Sequence, residues 1–324
     1  MDATLRARFQ GIVPALASPC DAQGCLDLPA LEALVDRLLV RPVAGLYLCG
    51  ATGDFPRLST PERLRIAEVA CAKSRAAGRL PIVHVAHPDL REACALARDA
   101  ARQGAAAVSS APPYAVEKED LPAYYAALVQ ASGLPLLVYH SPGLSAFPVA
   151  FSDVRRWLSI DGVGGLKYSA LNPYWIRWIR TEFPDAVIYS GPDELLATNL
   201  LFGADGGIGM WYDLLPELFL GLRALVVAGR ADAALDLQNR FADVAAFAWE
   251  AGIEAFYEDR MAEAGLARRI FRDPIRRPDP AAAAALLPGY RAALRRLADA
   301  LADATGRIGA PLRLPEEVLG PLPA

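Results

Sequence analysis

Gly162-Val163-Gly164-Gly165-Leu166-Lys167 is a short apolar run that ends on a lysine. It reads as a buried strand with a cation at its C-terminal tip. Of the 33 lysines and arginines in the chain, only Lys73, Lys118 and Lys167 are lysines. Lys73 and Lys118 lie in polar stretches, where a solvated charge needs no explanation. Two readings of Lys167 stand. Desolvation disfavours a charged amine, and a neutral amine attacks carbonyl carbon to form a Schiff base. Alternatively, the stem lies along the apolar strand end while the ammonium reaches water.

Seven further runs of the same kind flank it, at 12–16, 45–49, 80–85, 106–109, 134–139, 186–189 and 206–209. Near-continuous hydrophobicity is what parallel strands covered on both faces require. Between them lie amphipathic patterns, such as 28–39 with Leu31, Leu34, Val35 and Leu38 on one face. Thr60-Pro61-Glu62 reads as a helix start with Thr60 as N-cap. Strand–helix alternation repeated eight times predicts a (β/α)₈ barrel, an α/β fold, with a C-terminal helical extension. A doubly wound open sheet competes, but no Gly-x-Gly-x-x-Gly opens a helix after the first strand. The barrel core is assigned to 1–213 and the helical region to 214–304. The proline-containing tail 305–324 reads as a poorly ordered extension, and 271–280 as a connection.

The chain has 324 residues, is 54% hydrophobic and carries a net charge of -4. That size suits one barrel with additions, and no basic face points to nucleic acid. The first ten residues lack an apolar signal core, and no apolar run is long enough to span a bilayer. Five cysteines without metal-ligand spacing suggest a reducing, cytoplasmic setting. Three histidines on different elements, without HExxH, argue against a catalytic metal. His84 reads as a satisfied buried histidine, whereas His140 fits either packing or chemistry.

Barrel enzymes gather their catalytic groups at the C-terminal ends of strands. The turn Gly50-Ala51-Thr52-Gly53-Asp54 either aims N–H groups and a hydroxyl at a carboxylate or is merely a tight βα turn. Tyr139 is a proton carrier or a packed ring. Asp193 and Glu194 are ligands or simply acids that favour a helix N-terminus.

Taken together, Gly50-x-Thr52-Gly53-Asp54, Tyr139-His140-Ser141-Pro142 and Gly165-Leu166-Lys167-x-Ser169 resemble the N-acetylneuraminate lyase / dihydrodipicolinate synthase family over residues 11–302, and the lyase branch more closely. The resemblance implies class I aldolase chemistry on a pyruvate-type 2-keto acid, with no cofactor and no metal. Lys167 would form the imine and Tyr139 would carry the proton of the scissile hydroxyl. Tyr114 would complete the relay from a neighbouring subunit, which implies a homotetramer built as a dimer of dimers. Thr52, beside Ala51, would hold the carboxylate. Ser169, Gly191, Asp193, Glu194 and Met210 match substrate-contacting positions.

Four departures bear on specificity. Ala51 removes a hydroxyl from the relay, and Asp54 stands where glutamate is usual. Met210-Trp211 replace small hydroxyl residues, and Leu144 replaces the arginine of the synthases. These changes point away from sialic acid and from dihydrodipicolinate synthesis. An imine-dependent dehydratase or decarboxylase is the alternative outcome. A non-catalytic ligand-binding barrel is the alternative of another class.

Overall fold

The computed structural model describes residues 3–275, 277 and 279–320. Eight parallel strands run through them: β1 (Gly11–Pro14), β2 (Gly45–Leu48), β3 (Leu80–His84), β4 (Ala107–Ser110), β5 (Leu136–His140), β6 (Val163–Tyr168), β7 (Val187–Ser190) and β8 (Gly206–Gly209). They form one sheet in the order β1-β8-β7-β6-β5-β4-β3-β2. The two ends of that order meet. Leu16 N–H donates to Tyr47 O at 2.9 Å and Ala44 N–H to Ile12 O at 2.8 Å, so the sheet curls into a barrel. Helices between successive strands cover its outside, as the alternation in the sequence requires.

Side chains alternate across each strand. Inward-facing Val13, Ile82, Leu137, Val187 and Ile208 fill the barrel, with Phe9 beneath them. Outward-facing Leu46, Leu48, Leu136, Val138 and Leu166 pack on the helices. The lysine-bearing run continues one residue further than its apolar pattern, because Tyr168 still pairs with His140 of β5 and Ser190 of β7. Lys167 therefore stands inside the barrel, one residue short of the strand end. Below it, Gly165 leaves room: a Cβ there would fall 2.0 Å from Val187 O.

The helix Thr60–Ala76 is capped by Ser59, not Thr60. Glu62 N–H donates to the Ser59 hydroxyl at 3.4 Å and Glu62 Oε2 accepts Ser59 N–H at 2.8 Å, a reciprocal box that makes Thr60 the first helical residue. After β8 come helices Pro216–Val227, Ala231–Ala251, Ile253–Glu263 and Pro280–Gly306. The tail is not a loose extension as far as residue 320. Thr305 accepts Leu312 N–H at 2.9 Å, and Leu314 and Val318 are buried in the core. Its leucine and valine side chains find an apolar seat, which the prolines had obscured. Residues 321–324 lie outside the described chain, as do Arg276 and Pro278 of the expected connection.

The rest of that connection crosses the barrel mouth. Glu258 Oε2 accepts Ile270 N–H at 2.7 Å and Phe271 N–H at 2.9 Å, and Cys20 N–H donates to Arg269 O at 2.9 Å. No described helix is long and apolar enough to cross a membrane.

Candidate active site

The C-terminal ends of the strands open into a cavity of about 530 Å³, within the range of small-molecule sites. Lys167 stands in its floor, 4% exposed. Its Nζ lies 4.1 Å from the Tyr139 ring centroid and 4.6 Å from that of Tyr47. The register of β5 on β6 puts Tyr139 beside Lys167. Tyr47 is fixed from below by its hydroxyl, 3.0 Å from Ser109 Oγ, which in turn donates to Leu137 O at 2.7 Å. Among the described residues no carboxylate pairs with Lys167; ring faces hold its amine instead. The stem is buried and the amine lies at the cavity floor between the two rings.

The turn after β2 borders the same cavity with Ala51 and Thr52. Its left-handed backbone falls on Cys49 (φ 54°) and Asp54 (φ 59°), not on the glycines. The glycines serve close approach. A Cβ on Gly50 would lie 2.5 Å from the Tyr47 ring, and one on Gly53 2.9 Å from Ser18 Oγ. Two non-glycine residues at positive φ beside a site are held there only by surrounding structure. Asp54 supplies part of it, accepting Arg272 N–H at 2.9 Å and pairing with Arg57.

Ser169, Gly191, Asp193, Glu194 and Met210 border the opposite side. Gly191 is again a matter of space, since a Cβ would meet Ser169 Oγ at 1.8 Å. Asp193 is deeply buried and its Oδ2 accepts Trp211 N–H at 2.9 Å. Burial, with Glu194 adding to it, pushes its carboxyl up to about 8. The sign follows. A carboxyl near 3.8 when unfolded and near 8 when folded holds its extra proton in the folded chain between those values. That stabilisation is complete below the unfolded value and is lost as pH rises through about 8. Asp213 is also pushed up to about 8 by burial, so the single contribution must be read by difference. Asp193→Asn should therefore melt progressively higher than wild type as pH is raised from 5 to about 8. A Tm difference independent of pH would reject the assignment.

Not every expected residue joins this cavity. Tyr114 is 77% exposed and borders a separate cavity with Arg63, His87 and Leu144. Within one chain it is therefore not beside Lys167. Trp211 borders the cavity beside Met210, with its ring seated against Phe241 and Tyr257, at 5.9 and 6.0 Å between centroids. Only Met210 of that pair adds a side chain that is not fully buried. His84 Nε2 accepts Ala111 N–H at 3.1 Å, and burial lowers its pKa well below the usual histidine range. His140 stacks on Trp175 and is pushed down to about 4 by burial, so it packs.

Ala170 and Leu171 escape the sequence reading, and so do four bordering residues further along the chain: Trp249, Ile253, Glu254 and Phe271. These four come from beyond the barrel, where no strand-end rule selects them. Tyr47 escapes too, although its inward position on β2 was a usable signal.

An enclosed lysine between tyrosine rings, at the C-terminal mouth of a (β/α)₈ barrel, defines a Schiff-base lyase of the class I aldolase type. The comparisons agree. The Dihydrodipicolinate synthetase family matches residues 8–284, and the chain belongs to that family. The N-acetylneuraminate lyase of Escherichia coli (strain SMS-3-5 / SECEC) is 34% identical over 238 residues, covering 72% of this chain and 80% of that protein. The fold matches that of CdNal from Clostridium difficile, solved with mannosamine (TM-score 0.81, 24% identity, 88% and 99% of the two chains). It also matches YagE from E. coli K12, solved with pyruvate (TM-score 0.80, 23% identity, 89% and 98%). The protein is a carbon–carbon lyase acting on a pyruvate-type 2-keto acid.

Proposed function

We propose that Lys167 is the imine-forming residue and that the substrate is a 2-keto acid other than sialic acid. The observation that carries this is the amine of Lys167 enclosed by Tyr139 and Tyr47 in the floor of the cavity. Its nitrogen attacks the 2-keto carbon and water leaves. In the cleavage direction Tyr139 takes the proton of the C4 hydroxyl and the C3–C4 bond breaks. Its electrons enter the imine as an enamine, and an aldehyde departs. Tyr139 returns the proton to C3, and water hydrolyses the imine to pyruvate and the free amine. Thr52 holds the carboxylate from the turn after β2. Met210 on the opposite wall supports the exclusion of sialic acid, because hydroxyls buried against apolar groups cost roughly 1–3 kcal/mol each. Borohydride reduction in the presence of pyruvate should leave the peptide bearing Lys167 heavier by pyruvic acid less one oxygen, since water leaves and two hydrogens are added. An adduct on Lys73 or Lys118, or none, would remove the mechanism.

The exposed Tyr114 supports an assembly in which each subunit offers this ring to the next, as a homotetramer. Sedimentation equilibrium should return four times the chain mass; a monomer would end that reading. Five unpaired cysteines fit a reducing, cytoplasmic setting.

A further inference from the structure

The aldehyde half of the cavity is built differently from the keto-acid half. Its walls are Leu171, Met210, Ile253, Phe271 and the indole of Trp249. Three acids also reach it, and two of them are already engaged. Asp193 Oδ2 accepts Trp211 N–H, while its Oδ1 is buried over Gly209, where a Cβ would come within 1.7 Å. Glu194 Oε1 accepts the indole N–H of Trp249 at 2.8 Å. Trp249 sits near the C-terminal end of helix Ala231–Ala251 and is 60% exposed, so this bond is its polar anchor to the barrel. Lys167 is the one cation on the cavity wall among the described residues, and the imine consumes it.

We infer that Trp249 is a positioning residue that sets specificity: it ties down Glu194 and completes an apolar wall, so the aldehyde partner is a neutral aryl or branched alkyl aldehyde rather than a polyol. The inference rests on the imine reading above. A polyol would find one oxygen of Glu194, the exposed Glu254 and the Ser141 and Ser169 hydroxyls in a lining that is otherwise largely apolar, too few for a chain of hydroxyls, each of which loses water on entry. A phosphate or second carboxylate would meet Glu194 and Glu254 with no cation to offset them.

The test uses the full chain in the aldol direction with pyruvate fixed. The aldehydes are benzaldehyde, 3-methylbutanal, erythrose, N-acetylmannosamine and glyceraldehyde 3-phosphate. Wild type should favour the first two in kcat/KM by about tenfold or more, the scale of discrimination by an apolar pocket. Trp249→Ala should lower kcat/KM for the apolar pair about tenfold, chiefly through KM. Trp249→Phe keeps the wall but frees Glu194, and should narrow the preference over erythrose at least about threefold. A merely structural tryptophan would move both aldehyde classes together. Preference for a polyol or phosphorylated aldehyde in wild type overturns the inference, as does an unchanged ratio in Trp249→Phe. A pyruvate adduct on wild-type Lys167 without turnover of either apolar aldehyde overturns it while leaving the imine reading intact. Absence of that adduct overturns both.

Discussion

Lys167→Arg should lose the pyruvate adduct entirely and lower turnover by about 10⁴–10⁶-fold, the range seen when a central residue of a covalent enzyme is removed. The substitution keeps a cation between the Tyr47 and Tyr139 rings, where the lysine amine now lies within 4.6 Å of both centroids. A guanidinium stacks on aromatic faces at least as readily as an ammonium, so the local packing has a substitute. What it cannot do is give up its proton and add to a carbonyl. The expected pattern is a folded protein with a Tm close to wild type and no chemistry. Residual turnover within about tenfold of wild type would show that the carbon–carbon step does not run through this amine.

Tyr139→Phe should separate imine formation from bond cleavage. The ring that lies over Lys167 is retained, and so is the inward packing of β5, where Tyr139 is 5% exposed. Only the phenolic hydroxyl goes. Removing a general acid/base typically costs ~10²–10⁴-fold. The adduct with pyruvate should still form, while kcat for the true substrate falls by that factor. The effect should be near the upper end, because Ala51 offers no hydroxyl to take over the proton. Unchanged kcat would reduce Tyr139 to a packing residue and require another proton carrier.

The barrel was legible because its strands are buried on both faces and announce themselves as apolar runs. Lys167 was legible for a related reason: a charge at the end of such a run has no solvent to explain it. Thr52, Tyr139, Ser169 and Asp193, which the strand-end rule selects, border one cavity. That rule could say nothing of Trp249 or Phe271. Their place depends on how helix Ala231–Ala251 and the segment after it fold back over the mouth, through bonds such as Glu258 to Phe271 N–H that span no local pattern. Thr60 was misjudged by one position because Ser59 and Thr60 are equally able caps, and Glu62 decides between them by its spacing.

The keto-acid half of the cavity is carried on strand ends, where each side chain is locked by the neighbouring strand. The aldehyde half is carried partly on the turns after β6, β7 and β8 and partly on helix termini and a crossing segment that no sheet constrains. Inheritance can therefore treat the two halves separately. Mutations in the outer cover can exchange one aldehyde for another while the lysine and tyrosine stay in register.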